Sequence, residues 1–300
     1  MKHQFEFLGV KLLDAFLCAL PRSWALKLGE CLGQVAAWVL PSRRRLILDN
    51  LRHAFPDRDE KELRDIAYEV WSNLGRVAAE FVRLSDISRA NFRKYFSFEG
   101  LEHVNAAKKA GRGIIFITSH LANWEYSGVA VQFLMGDVVA IARPMKNLKV
   151  ESWVRGKRSV SGLEFVMHRN AVKSSLRALK ANKAVGILVD QNLYTGGVFV
   201  NFFGRPAATT TLPALLHART GAPVIVVYAR REKSGFKIVF EKPLEFPKTI
   251  DKVRDVKIHT QIFTKAIERV VRQQPEQWFW IHNRWKRKPG SSSLQDAGVH

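Results

Sequence analysis

Cysteine is nearly absent: Cys18 and Cys31 are the only two in 300 residues, and both lie in apolar N-terminal segments. That excludes a disulfide framework and any CxxC pair, and it points to a cytoplasmic or cytoplasm-facing protein. Acidic residues are scarce as well, 27 Asp and Glu against 48 Lys and Arg, for a formal net charge of +21. The partners such a surface selects are polyanions: nucleic acid, an anionic membrane surface or a phosphorylated lipid. Long apolar runs are missing. The longest stretches free of Asp, Glu, Lys and Arg are about 14 residues, Gln191 to Gly204 among them, short of the roughly 18 that a spanning helix needs. There is no internal repeat, low-complexity tract or evident internal linker. With 47% apolar and 25% charged residues, the chain has the material for a substantial core, which excludes a disordered tail and a collagen-like fibre.

What is present begins with two apolar N-terminal segments, Phe5 to Leu20 and Trp24 to Leu40, interrupted by Glu6, Lys11, Asp14, Lys27 and Glu30. They read as amphipathic helices ending at Pro21 and Pro41, followed by the cluster Arg43-Arg44-Arg45. Two arrangements fit this pattern, a helix pair lying on anionic headgroups or two core-packed helices with a solvated basic run. No small-residue cleavage site follows the first segment, so a cleavable signal peptide is not expected.

From Arg52 to Leu84 the apolar spacing is helical, with Phe55-Pro56 as punctuation. Beyond Phe92 the period changes to short β-branched and aromatic runs: GIIFITSH, VVAIARP, LEFVMHR, AVGILVDQ, FVNFFG, PVIVVYARR and FKIVFEKPLEF. Between them lie helical stretches at Asn123 to Met135, Asn147 to Arg158, Ala171 to Lys183 and Leu212 to Thr220, with a long amphipathic helix from Asp255 to Gln273. Alternating strands and helices predict an α/β core.

Chemistry concentrates in GIIFITSHLANWE, Gly113 to Glu125. A strand ends at Ser119-His120 and a helix opens near Asn123, so His120 sits at the carboxyl end of a strand, where open α/β sheets bind ligands. Residues five apart on one helix lie about 140° from each other, but across a strand-turn-helix junction Glu125 can meet His120. A carboxylate on one imidazole nitrogen fixes the tautomer while the other nitrogen accepts a proton, giving a base and its orienter. The bland alternative is a structural histidine bonded to a nearby glutamate. Neither HExxH nor a clustered ligand set is present, so no metal is expected, and GxSxG is absent, so a nucleophile-elbow hydrolase is not expected.

HLANWE resembles the H-x4-D/E motif of the bacterial lipid A biosynthesis acyltransferases. The resemblance extends over residues of roughly 20 to 288. It runs through Arg43-Arg44-Arg45, Asn50-Leu51, Phe55-Pro56, Asn73-Leu74-Gly75 with Glu80, ARP at 142–144, Arg158-Ser159, VDQ at 189–191, FVNFFGRPAAT at 199–209 and W-x-H-N-R-W-K at 280–286. Two departures stand out: Ala122 where many members have glycine, and Asn201 where many have proline.

The resemblance implies a mixed, largely parallel central sheet flanked by helices, as in glycerol-phosphate acyltransferases, preceded by an N-terminal helical membrane-associating region. The organisation expected is 1–45 for that region, 46–288 for the acyltransferase domain and 289–300 for a disordered tail. It also implies fatty acyl transfer from an acyl carrier protein, or coenzyme A, to a hydroxyl of a phosphorylated glycolipid at the cytoplasmic face of the inner membrane. His120 would deprotonate that hydroxyl directly, oriented by Glu125, with no acyl-enzyme and no cofactor beyond the thioester co-substrate. Asn123, Arg143, Arg158, Asp190 and Gln191 would bind substrate or support the site, Asp190 and Gln191 from the same sheet edge as His120. Arg143 to Lys183 carries eleven basic and two acidic side chains, suiting a phosphorylated acceptor or an acidic carrier. FVNFFG either packs or lines an acyl pocket. His103, His168, His217 and His282 are expected to be structural or exposed, and Arg284, Lys286, Arg287 and Lys288 either hold headgroups or solubilise the C-terminus. Competing classes are transfer to a phosphatidylinositol mannoside, amino lipid or glycerophospholipid, a non-catalytic peripheral membrane protein, and a nucleic-acid binder, which no recognition motif supports.

Overall fold

A computed structural model describes residues 2–290. The expected disordered tail therefore lies almost entirely outside the described residues. Four helices open the chain: α1 (Lys2–Ala19), α2 (Arg22–Val39), α3 (Pro41–Ala54) and α4 (Glu60–Val82). Pro41 starts α3 rather than only ending α2, because a proline in the first turn gives up no hydrogen bond; the arginine cluster consequently rides on the exposed first turns of α3. Asp59 caps α4 by accepting from the backbone N–H of Glu62.

The remainder alternates as the sequence predicts: β1 (Phe96–Glu99), α5 (Leu101–Lys109), β2 (Ile114–Thr118), α6 (Trp124–Met135), β3 (Val138–Ala142), α7 (Leu148–Ser159), β4 (Glu164–Met167), α8 (Ala171–Lys180), β5 (Ala184–Leu188), β6 (Val198–Phe202), β7 (Arg205–Thr209), α9 (Leu212–Thr220), β8 (Val224–Glu232), β9 (Gly235–Phe240) and α10 (Lys252–Gln273). Seven strands form one sheet in the order β1-β9-β8-β2-β5-β3-β4. Every neighbouring pair in it is parallel except β8–β9, so the sheet is mixed and largely parallel. β6 and β7 pair separately as an antiparallel hairpin.

Both faces of the sheet are covered, which is why its central strands read as continuous apolar runs. Ile115 and Ile117 of β2, with Val224 and Val226 of β8, pack against residues of α3, α4, α8, α9 and α10. Their alternates Ile114, Phe116, Ile225 and Val227 pack against α5 and α6. No helix among the described residues is long and apolar enough to cross a membrane.

Candidate active site

The β2–β5 register sets the site. Thr118 pairs with Leu188, so two residues further along each strand end His120 faces Asp190. The Nδ1–H of His120 donates to Asp190 Oδ1 at 2.8 Å, and its backbone N–H donates to Oδ2 at 2.8 Å. Trp278 Nε1 is the carboxylate's third donor, reaching Oδ2 at 2.8 Å. Burial alone pushes the Asp190 carboxyl up; its electrostatic interaction and two hydrogen bonds with His120, and the bond from the Trp278 indole, outweigh it and hold the carboxyl below its ordinary value. With Nδ1–H committed, Nε2 carries the lone pair, and the side-chain amide of Gln191 donates to it at 3.2 Å. The ring of His120 packs against Trp124, at 4.9 Å between centroids, and against Phe279, and these two rings also touch each other.

Glu125 does not occupy the position expected of it. Its carboxylate forms a two-pronged pair with Arg158, Oε1 to Nη2 at 2.5 Å and Oε2 to Nε at 3.0 Å, and Oε1 also accepts from the Trp124 indole. The first turn of α6 thus pairs Glu125 with α7, while the Nδ1 edge of the imidazole is taken by Asp190. Asp190, fixed by the strand register 70 residues downstream, takes the orienting position instead. Glu125 and Arg158 thus come together across α6 and α7, beside the histidine.

Asn123 caps α6, accepting from the Tyr126 backbone N–H at 3.0 Å. Its own amide points inward and donates to Glu80 Oε2 at 2.9 Å, so it holds the fold behind the site. Glu80 is a fully buried carboxylate whose other partner is Arg231, through Nη1 at 2.6 Å and Nη2 at 2.9 Å. A buried charge of this kind is tolerable only when so paired. This network ties α4, α6 and β8 together beneath the motif. Arg231 has no motif spacing by which the sequence could announce it.

A cavity of about 530 Å³ opens at His120, Glu125, Arg143, Arg158 and Gln191. It runs inward between α6 and the sheet, where Phe116, Val131, Val138, Leu163, Phe165 and Val227 line it. Gly186 of β5 and Gly128 of α6 face this space. A Cβ at Gly186 would meet nothing closer than 3.9 Å, so the slot exists partly because that strand position has no side chain. Arg143 is exposed at the mouth.

The C-terminal segment underpins the site. Phe279 N donates to His120 O at 3.0 Å, and His282 Nε2 accepts from the Asn192 backbone N–H at 2.9 Å. Burial, aided by the charges of His120, Arg284 and Arg43 and opposed by Asp190, pushes the His282 imidazole down to about 4. Arg284 and Arg287 are buried and donate to carbonyls of Ala208 and of Leu193 and Tyr194. These two arginines brace loops around the site and are not available to hold headgroups. Phe202 and Phe203 belong to the core, which settles FVNFFG as packing.

The sequence profile of the family described as "Bacterial lipid A biosynthesis acyltransferase" matches residues 2–287. The chain belongs to this family of acyltransferases. Among its relatives, the Escherichia coli (strain K12) lipid A biosynthesis palmitoleoyltransferase is 29% identical over 272 residues, covering 89% of this chain and 87% of that protein. The lauroyltransferase of the same strain is 24% identical over 293 residues, covering 96% and 93%. A phosphatidylinositol mannoside acyltransferase of Mycobacterium tuberculosis (strain ATCC 25618 / H37Rv) is 24% identical over 217 residues, covering 70% and 67%.

Ala122 and Asn201, the two residues that differ from those the resemblance leads one to expect, sit in defined local settings. Ala122 lies in the left-handed region at φ 48°, where glycine is unstrained and an L residue costs roughly 1–2 kcal/mol. Its backbone N–H donates to Gln277 O at 2.8 Å, and the Leu121 bridge to Trp278 holds the same turn in place. At Asn201 the backbone N–H donates to Gln261 Oε1 at 2.7 Å, a bond that a proline there could not make. The side chain accepts from Gly204 N across the hairpin turn.

Proposed function

We propose that this acyltransferase moves a fatty acyl group from a carrier-protein or coenzyme A thioester to a hydroxyl of a phosphorylated glycolipid of the lipid A type, at the cytoplasmic face of the inner membrane. The observation that carries the reading is His120 with Nδ1–H fixed on Asp190 and Nε2 turned to the mouth of an apolar slot. Nε2 takes the proton of the acceptor hydroxyl as its oxygen attacks the thioester carbonyl. The tetrahedral oxyanion then collapses, the C–S bond breaks, and the departing thiolate recovers the proton from the imidazolium. Asp190 stabilises that imidazolium through the bond it already makes. Gln191 must give up Nε2 to the incoming hydroxyl, and its freed amide N–H is then beside the developing oxyanion, where one such donor is worth about 10² to 10³ in rate.

The slot has the size and apolar lining of a small-molecule site and suits an acyl chain. Arg143 is the exposed guanidinium available for a phosphate, since Arg158 is committed to Glu125. The broader coverage of the lipid A relatives favours their class of acceptor over a phosphatidylinositol mannoside. The exposed apolar face of α1 and α2, beside the arginines of α3, supports attachment to an anionic membrane surface.

The test is a transfer assay in detergent with an acyl-carrier-protein thioester and a tetra-acylated, phosphorylated lipid A precursor, read by mass spectrometry, with a phosphatidylinositol mannoside as second acceptor. One added acyl chain on the first acceptor is expected, falling at least about a hundredfold in His120→Ala. Equal product from both proteins would sink the base assignment, and product on the mannoside alone would reassign the acceptor.

A further inference from the structure

Helix α7 forms the wall of the cavity mouth that carries Arg158, and it follows directly on the loop bearing Arg143. Core packing holds it at few points: Val154 is its one buried residue, and the ring of Trp153 packs against Phe81 and the small cluster of Leu17, Ala25, Ala79 and Val82. The rest of its anchorage is a set of polar contacts to α1, at both ends. At its N-terminus the Asn147 amide donates to His3 O at 2.9 Å and to Glu6 Oε2 at 3.0 Å. In its last two turns, Trp153 Nε1 donates to Asp14 Oδ2 at 2.8 Å and Lys157 Nζ pairs with Asp14 Oδ1 at 2.7 Å.

Asp14 is only 7% exposed, although it lies in a helix whose large apolar residues mostly face outward. Lys157 uses a second proton on Val82 O at 2.7 Å, so the ammonium bridges α1, α4 and α7. The next residue along is Arg158, about 100° further round the helix, where it grips Glu125 of the motif. One turn of α7 therefore joins the N-terminal helix on one side to the active site on the other.

We infer that Asp14 is a positioning residue for acyl transfer: through Lys157 and Trp153 it fixes α7, and so sets Arg158 against Glu125 and Arg143 at the cavity mouth. Helix α1 is then a structural part of the acceptor site as well as its outermost layer. The kinetic consequence rests on the transfer reaction proposed above; the mechanical one does not.

Asp14→Asn keeps the shape and an acceptor for Trp153 but loses the charge, Asp14→Glu keeps the charge, and Lys157→Met removes the same pair from the other side. Hydrogen exchange in Asp14→Asn and Lys157→Met is expected to quicken at least about tenfold in residues 148–159 while α4 and α10 stay protected. The KM for the phosphorylated acceptor should rise about tenfold with kcat changed less, and Asp14→Glu should recover most of that loss. Placed on Arg158→Lys, the Asp14→Asn change should add less than about twofold, because both act on one contact. Unchanged exchange in α7, equal behaviour of the Asn and Glu variants, or a full tenfold penalty retained on Arg158→Lys would each overturn the positioning role. Absence of turnover in the wild-type protein would instead refute the reaction, and the exchange result would still decide the anchor.

Discussion

Replacing one carboxylate oxygen of Asp190 by nitrogen distinguishes its role at His120 from that of Glu125. The carboxamide introduced by Asp190→Asn can donate to Nδ1, which would move the ring proton to Nε2 and remove the lone pair that the reaction needs. Asp190→Asn is therefore expected to lower kcat by about 10² to 10⁴ with little change in acceptor KM, measured in single turnover; a loss under about threefold would return the orienting role to another group. His282 gives the pH dependence. Its folded value, about 4, lies below the roughly 6.5 of an unfolded histidine, so between these limits the unfolded chain binds the extra proton. Stability is thus complete above about pH 6.5 and declines as pH falls toward 4. Protonation also removes the lone pair with which Nε2 accepts from Asn192. The urea midpoint of the wild type should drop between about pH 7.5 and 5, and that drop should shrink in His282→Gln.

At the scale of elements, α2 and α4 approach each other backbone to backbone. Gly29 and Gly33 of α2 meet Gly75 of α4, and a Cβ at Gly33 or Gly75 would collide with the carbonyl oxygen of Trp71 or Gly29. Gly33→Ala must push the helices apart, at a cost of about 1–3 kcal/mol. Gly9→Ala in α1, where a Cβ meets nothing within 4 Å, should instead be neutral or gain up to about 1 kcal/mol from helix propensity; denaturant midpoints of the two variants make the comparison. A similar contrast between local and distant causes separates what the sequence makes legible from what it hides. Period and punctuation locate α6, α9 and the buried strands because each carries its own signal: Asn123 as a cap, or β-branched runs such as GIIFIT. The pattern does not mark β1 and β7, since FSFE is only four residues long and RPAAT carries a proline and few β-branched side chains; both are strands by virtue of their partners. Spacing along the chain pairs Glu125 with His120; the strand pattern puts Asp190 at the same sheet edge, but the β2–β5 register that sets it face to face with His120 leaves no trace in the spacing. Trp278 and Arg231 are hidden for the same reason, being contributed by distant segments with no local pattern.

Over the whole molecule, the proposed membrane attachment joins the excess of positive charge to the exposed apolar helices. Phe5, Leu8, Leu12 and Phe16 recur at three- and four-residue spacing on α1 and are all more than half exposed, while on α2 Trp24 is 69% and Trp38 is 78% exposed. Arg43, Arg44 and Arg45 are exposed on the helix that follows. An exposed apolar patch of this size marks an interaction surface, and the proposed membrane attachment would use its rings as anchors and the arginines to meet anionic headgroups. Inserting one large side chain is worth about 1.5–3 kcal/mol, so Trp38→Ser should weaken partition onto phosphatidylglycerol-containing vesicles about tenfold or more. Replacing all three arginines of the cluster by glutamate should weaken it further and remove its salt dependence. Sedimentation of protein with vesicles reads both effects, and retention of wild-type binding by either variant would exclude this face as the attachment surface. The prediction bears on the proposed reaction because α1 adjoins α7, which forms the cavity mouth: if this face holds lipid, the proposed acceptor would keep its acyl chains in the bilayer while its phosphorylated sugar reached Arg143 and His120.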